Sequence, residues 1–289
     1  MDSADYEGKN KAECSTLSIE QTEAADSAES SQHRAVKEAI DQMLRRIDDP
    51  TLSLGALAKT AYYSPFHFDR IFRSITGIPP RLYLSALRFQ WSKKLLARTS
   101  RPATDIGQAV GYSSFGTFSS KFSQLIGLSP QQFRAFIEKS VLGLRELQPI
   151  EIAEECRERG VSGLVEAPNG FQGIICVGLF PKPIPMGKPI GCTVVFESGA
   201  YWIPDIPDGT YSVMSIAFSW EDSLEEYIHP QKALRGKAAG KLTIASGSVK
   251  GDTGIVLRPP KFYDPPMLVS FPILIQAFME RLEREKTAN

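Results

Sequence analysis

A pattern that occurs twice constrains this 289-residue chain more than any other feature. It spans 57–80 and recurs over 106–130. Before the turn, Leu57, Ala58, Ala61, Tyr63 and Ser64 align with Ile106, Gly107, Val110, Tyr112 and Ser113. After it, Phe68, Phe72, Gly77 and Pro80 align with Phe118, Phe122, Gly127 and Pro130. The second copy has gained one residue inside the turn, where an insertion costs least. Each copy reads as two helices joined by a tight turn, about 54–76 and 104–126, with a helix-length segment between them. Two helix-turn-helix units in one chain point at duplex DNA, because each can lay its second helix in a major groove.

The periodicity around the repeat is helical. Val36, Ile40, Met43, Leu44 and Ile47 recur at spacings of three and four, and Asp48, Asp49 and Pro50 end that run. Thr51 or Ser53 can cap a short helix over 54–59, and Ser64 followed by Pro65 starts the next, over 65–75. On that helix Phe68, Ile71, Phe72 and Ile75 form one apolar stripe, leaving Phe66, His67, Arg70 and Arg73 on the opposite face. Arg70 has a plainer reading as the partner of Asp69. Gly77 provides a left-handed stop. A helix over 81–98 follows, with Leu84, Leu87, Trp91, Leu95 and Leu96 facing inward, while Lys93, Lys94, Arg98 and Arg101 read as a solvated or phosphate-facing surface. One continuous helix between two reading heads would fix their separation. The second copy gives a helix over 105–109, a turn at 111–114 and a helix over 115–125. Its core face is Phe118, Phe122 and Leu125, and Phe115, Gly116, Thr117, Ser120 and Lys121 are left for contact. A last helix over 131–142 closes the unit.

Charge supports this placement. The net charge is zero, but residues 34–148 hold 17 basic and 8 acidic side chains, against 2 and 8 in residues 1–33 and 14 and 17 in residues 149–289. A basic segment attracts phosphates and releases their counterions, and an acidic one does not. Residues 1–33 are rich in Ser, Glu, Ala and Asp and read as a disordered tail. Cys14, Cys156, Cys176 and Cys192 form no C-x-x-C pair, which implies a reducing cytoplasmic compartment. The N-terminus lacks the basic start and apolar core of a signal peptide. The most apolar stretch, 267–279, is too short to span a bilayer and is broken by Ser270, Pro272 and Gln276. No membrane partner is expected.

After a linker over 143–170 the pattern changes to short Val, Ile, Thr and aromatic runs over 174–180, 192–197, 210–218, 241–245 and 254–257, with a final helix over 273–286. The fold class expected is multidomain: an all-α paired helix-turn-helix domain over 34–142, then a mainly-β, sandwich-like domain over 171–289 with a C-terminal helix. Pro207, Asp208 and Gly209 read as a turn with a left-handed glycine, opening a strand in which Tyr211, Val213, Ser215 and Ala217 alternate with Ser212, Met214 and Ile216. Tyr201, Trp202, Tyr211, Phe218 and Trp220 are candidates to line an effector pocket. The plainer alternative places them in a sandwich core or a dimer face.

Catalytic patterns are missing. His33, His67 and His229 stand in no zinc-ligand spacing, and no G-x-S-x-G elbow occurs. The segment 236–243 looks like a phosphate loop, but Leu242 stands where Ser or Thr is needed. Glu221, Asp222, Glu225 and Glu226 read as a solvated helix start rather than a metal or acid/base site. No cofactor, metal or catalytic residue is implied.

The stretch 36–140 resembles the paired helix-turn-helix domain of AraC/XylS transcription regulators. The resemblance rests on A-Y-Y-S-P-F-H-F-D-R-I-F with G-I-P-P in the first copy, and on G-Y-S-S-F-G-T-F-S-S-K-F with G-L-S-P-Q-Q-F-R in the second. Arg88 sits where the family usually has an Arg. The resemblance implies a regulator of transcription whose two reading helices enter successive major-groove segments. Phe66, His67 and Arg70 would face base edges, with Arg70 suited to guanine, and Phe115, Gly116, Thr117 and Ser120 would do so in the second head. The family usually has Arg where Ser120 stands, and Lys121 points about 100° away, toward phosphate. The first head is therefore expected to carry more specificity. RNA polymerase and a small-molecule effector are further partners this reading admits. The C-terminal half is similar to sandwich modules of the transthyretin or carboxypeptidase regulatory type, with a GyrI-like sensor as the rival fold. Competing functions are a nonspecific architectural binder, or an enzyme fusion, which would need a reactive Cys in a P-C-H-R-like setting.

Overall fold

The computed structural model describes residues 31–143, 160–269, 274, 275 and 278. The expected tail lies outside them except for 31–33, which already belong to the first helix, α1 (31–45). Then come α2 (Leu54–Thr60), α3 (Pro65–Thr76), α4 (Pro80–Arg98), α5 (Ala103–Ala109), α6 (Phe115–Ile126) and α7 (Pro130–Gly143). Ser53, Ser64 and Ser114 lie in extended backbone, and their hydroxyls accept from the amides of Ala56, His67 and Thr117. Each meets a donor that a helix start leaves unpaired. At the start of α7 the exchange is reciprocal: Ser129 Oγ accepts from Gln132 N at 3.2 Å, and Gln132 Oε1 from Ser129 N at 2.9 Å. Gly77 (φ 79°) and Gly127 (φ 96°) end α3 and α6 in the left-handed region. Inside the turns, Gly111 (φ 81°) has Tyr62 (φ 58°) as its counterpart, so the same left-handed bend is carried by a tyrosine in the first copy. Ser64 caps α3 as Ser114 caps α6, so its counterpart is Ser114 rather than Ser113, which is the inserted residue.

Helix α4 serves both heads. The Tyr83 ring meets Phe72 edge-on at 5.3 Å, and Phe89 stacks on Phe118 at 5.9 Å and touches Phe122 at 6.0 Å. Arg88 donates to the carbonyls of Ile47 and Asp49, fastening the end of α1. Arg134 donates to the carbonyls of Leu96 and Thr99, which the C-terminus of α4 would otherwise leave open, and to that of Arg101 just beyond it. Leu84, Leu87 and Leu96 are buried as expected. Trp91 is not: it is 38% exposed, with the Lys94 ammonium 5.1 Å over its ring. Lys93, expected on a solvated face, is fully buried. The physical reason is that the β-rich half covers that side of α4.

That half holds two sheets. The smaller has the order β4-β1-β9, with β1 (Gly160–Glu166) antiparallel to β4 (Gly199–Pro204) and parallel to β9 (Ile255–Val256). In the larger, β2 (Gly173–Phe180) lies between β3 (Gly191–Val195) and the long β5 (Gly209–Ser219). The far edge of β5 pairs with β7 (Leu242–Ala245), itself paired with β8 (Ser248–Lys250), and then with β6 (Leu234–Lys237). A short helix, α8 (Leu224–Ile228), follows β5. Val161, Val165, Tyr201 and Ile203 of the small sheet pack on Ile175, Val177, Leu179 and Val213 of the large one, giving the expected sandwich. The alternate residues Ile174, Cys176, Phe180, Ile216 and Phe218 point the other way and join the core of the helices. Strand β2 is therefore buried at every position and reads as an unbroken apolar run. The helical domain and the β-rich region meet in one apolar cluster.

Four strands were not anticipated: β1, which lies within the expected linker, and β4, β6 and β8. Gly209 is not left-handed either; in this loop that role falls to Asp205 (φ 52°). Glycine is needed at 209 because Tyr211 folds back over it to donate to Pro207 O at 3.0 Å, and a Cβ would lie 2.4 Å from the Tyr211 hydroxyl. The segment 236–243 runs from β6 into β7, so it opens no helix onto a phosphate. Of the expected C-terminal helix, 274, 275 and 278 are described and helical. No described helix is long and apolar enough to cross a membrane.

Candidate nucleic-acid interface

Helix α3, the second helix of the first helix-turn-helix unit, turns its apolar stripe inward: Phe68, Ile71 and Phe72 are buried. Its opposite face projects Phe66, 84% exposed, with Arg70 and Arg73, both exposed. His67 is half-buried, its ring edge-on to Tyr63 at 5.1 Å. Asp69 pairs with Arg73 at 2.8 Å, one helical turn on, rather than with Arg70. Among the described residues Arg70 makes no ion pair, so its guanidinium is available for bidentate hydrogen bonding.

Helix α6, its counterpart in the second unit, buries Phe118, Phe122, Leu125 and Ile126 and exposes Phe115, Gly116, Thr117, Ser120 and Lys121. Phe115 is held by its tilted contact with Phe118 at 6.4 Å. Lys121 Nζ lies 5.7 Å over the Tyr112 ring, and the Tyr112 hydroxyl is 3.4 Å from Ser85 Oγ on α4. Burial raises the Tyr112 phenol above its ordinary range. Gly116 is not demanded by the fold, since a Cβ there would meet little but Ser114 Oγ at 3.8 Å. The two faces thus differ chemically: two guanidiniums and an imidazole on α3, two hydroxyls and one ammonium on α6.

Residues 57–135, from α2 into α7, match the family model described as "Helix-turn-helix domain". These residues form an AraC-type helix-turn-helix domain. The chain is 31% identical over 98 residues to the "Probable transcriptional regulator LumQ" of Photobacterium leiognathi, covering 34% of this chain and 40% of that protein. It is 33% identical over 106 residues to the "Right origin-binding protein" of Escherichia coli (strain K12), covering 37% and 36%. It therefore spans well under half the length of these relatives. Among solved structures, an AraC-type transcriptional regulator from Chromobacterium violaceum is 30% identical, with a TM-score of 0.34, covering 36% of this chain and 91% of that one.

Within the AraC-type domain, the roles of Arg134 and Tyr62 were not foreseen. Arg134 carried no sequence signal beyond its place after the last Gly-x-x-Pro. Tyr62 had one, because it aligns with Gly111. The five aromatics expected to share a pocket do not converge. Tyr201 and Tyr211 belong to the core between the sheets, and Tyr201 donates to Thr253 O at 2.6 Å. Phe218 lies in the other core, stacked on Tyr227 at 4.9 Å. Trp202 packs near Gly160, and Trp220, 48% exposed, stacks on Phe196 at 6.1 Å. Strand alternation divides them, as it sends Tyr211 and Phe218 to opposite faces of β5. An open depression of about 510 Å³ lies elsewhere, between the 205–208 loop and the β7–β8 hairpin, lined by none of the five. The acidic cluster holds local structure. Glu226 Oε1 accepts the amides of Gln231, Lys232 and Ala233, Asp222 accepts from Ser219 N, and Glu225 pairs with Arg98.

Proposed function

We propose that this chain is a transcription regulator that binds duplex DNA sequence-specifically, with α3 and α6 in successive major-groove segments. The observation that carries this reading is the pair of matched helix-turn-helix units on one helix, each turning a capped, solvent-facing row of contact residues away from an aromatic core. Arg70, free of Asp69, reads guanine; Phe66 supplies apolar contact to a thymine methyl; Arg73 and Lys121 meet phosphate. The action is recognition without catalysis, and the β-rich half modulates it. The asymmetry between the faces assigns the stronger base preference to the half-site under α3.

Selection of the full chain on random duplexes at physiological salt tests this. Enrichment of a bipartite motif with half-sites about one helical turn apart is expected. In Arg70→Ala, discrimination at one guanine should fall by about 1–3 kcal/mol, with binding to other sequences little changed. Uniform binding of all sequences would contradict the reading and favour an architectural binder.

A further inference from the structure

Two segments of the β-rich half, 262–269 and 184–187, form a strap that bonds to the linking helix α4 and to the end of α6. Tyr83, whose ring closes the core of the first head, donates its hydroxyl to the carbonyls of Phe262 (3.3 Å) and Asp264 (3.0 Å). The strap is stiff there, because Asp264 takes a bidentate pair from Arg258 at 2.7 and 2.8 Å and also accepts from Lys261 N. A few residues on, Lys93 at the middle of α4 donates to Leu268 O at 2.9 Å and Met267 O at 3.5 Å. Next, Val269 N donates to Pro185 O at 3.1 Å, and Gly187 N donates to Leu125 O, at the end of α6, at 2.6 Å. Ile184, Met267, Leu268 and Val269 are buried in the same core as Phe72 and Phe122. Hydrogen bonds therefore tie the strap to α4 at Tyr83, whose ring packs on Phe72 of the first head, and at Lys93, and to the end of α6 at Leu125. Outside those bonds, the principal neighbours of α3 are α2 and α4, and those of α6 are α4, α5 and α7.

From these bonds we infer that the strap, residues 262–269 with 184–187, sets the half-site spacing the chain accepts, with Tyr83 and Lys93 as positioning residues. The inference rests on the DNA-binding reading above. An α-helix alone fixes distance but leaves each head to pivot on its own aromatic contacts; a strap fastened twice to α4 and once to the end of α6 removes that freedom from the second head. Inserting one base pair between half-sites moves the second by about 3.4 Å and rotates it by roughly 35°. Two heads locked together cannot follow both changes, and heads free to pivot can.

The test uses the full chain and its selected duplex, with and without one inserted pair. Tyr83→Phe/Leu268→Ala removes the hydroxyl and a packed strap side chain but keeps the Tyr83 ring in place. Native-state hydrogen exchange at Gly187 and Val269 reports whether the strap has opened; if these amides stay protected, Lys93→Ala is added. For wild type the inserted pair should weaken binding about a hundredfold, and for the opened variant about tenfold or less, while affinity for the uninterrupted site changes little. An opened variant that discriminates against the insertion as strongly as wild type overturns the inference. So does a wild-type chain that binds both duplexes equally, which leaves the DNA reading standing. A chain that selects no duplex removes that reading, and this inference with it.

Discussion

Lys93 shows what a single residue contributes in this fold. Its stem lies in the shared core and its ammonium meets backbone carbonyls, so burial pushes its pKa down from 10.5 to about 7. A lysine lowered on folding binds fewer protons in the native state between those values, so stability should rise as pH increases from about 7 toward 10. Lys93→Met should flatten that rise in urea midpoints measured across the range, and an unchanged slope would contradict this account of Lys93. His229 acts in the acid range. Burial first, then Lys93 and Lys94, hold it down to about 4, and its Nδ1 is buried without a hydrogen-bond partner. Its contribution is complete above about pH 6.5 and is lost as pH falls toward 4. At Tyr62 the cost is backbone strain. A non-glycine residue in the left-handed region costs about 1–2 kcal/mol, partly offset by the freedom glycine adds to the unfolded chain. Tyr62→Gly should therefore raise stability by up to about 1 kcal/mol, read as a higher urea midpoint with the slope unchanged.

At the scale of elements, the repeat gives an internal control. Gly107 and Ala58 occupy equivalent places where the first helix of each head crosses the second. A Cβ at 107 would lie 3.0–3.3 Å from the Phe118 ring, whereas Ala58 is accommodated fully buried. Gly107→Ala should cost about 1–3 kcal/mol by overpacking, read in thermal or urea unfolding. The helices and both turns were legible because their signals are local: caps, stripe spacing and left-handed glycines lie within a few residues of one another. The inward face of α4 was not legible. Trp91 and Lys93 exchange their expected places because a strap some 175 residues away in sequence covers the helix. Strands β1 and β4 escaped notice because glycines dilute their alternation, and β6 and β8 because edge strands carry polar residues. On α3 and α6 the division between buried and exposed residues was readable from periodicity. The pocket was not, since five aromatics in sequence do not reveal which face of a strand each will take.

At the scale of the whole molecule, buried residues of the helical and β-rich halves meet in one apolar cluster. Trp91 reports on the first half and Trp202 and Trp220 on the second. Helical circular dichroism and tryptophan fluorescence should give coincident unfolding transitions, because buried residues of both halves belong to one apolar cluster. Two separated transitions would show that the halves fold independently. The most direct measurement is duplex selection with the full-length chain at physiological salt, repeated with Arg70→Ala. The account predicts a bipartite motif whose half-sites lie about one turn apart, with the guanine preference in one half-site abolished by the substitution. Enrichment of no motif, or a motif indifferent to Arg70, would contradict it.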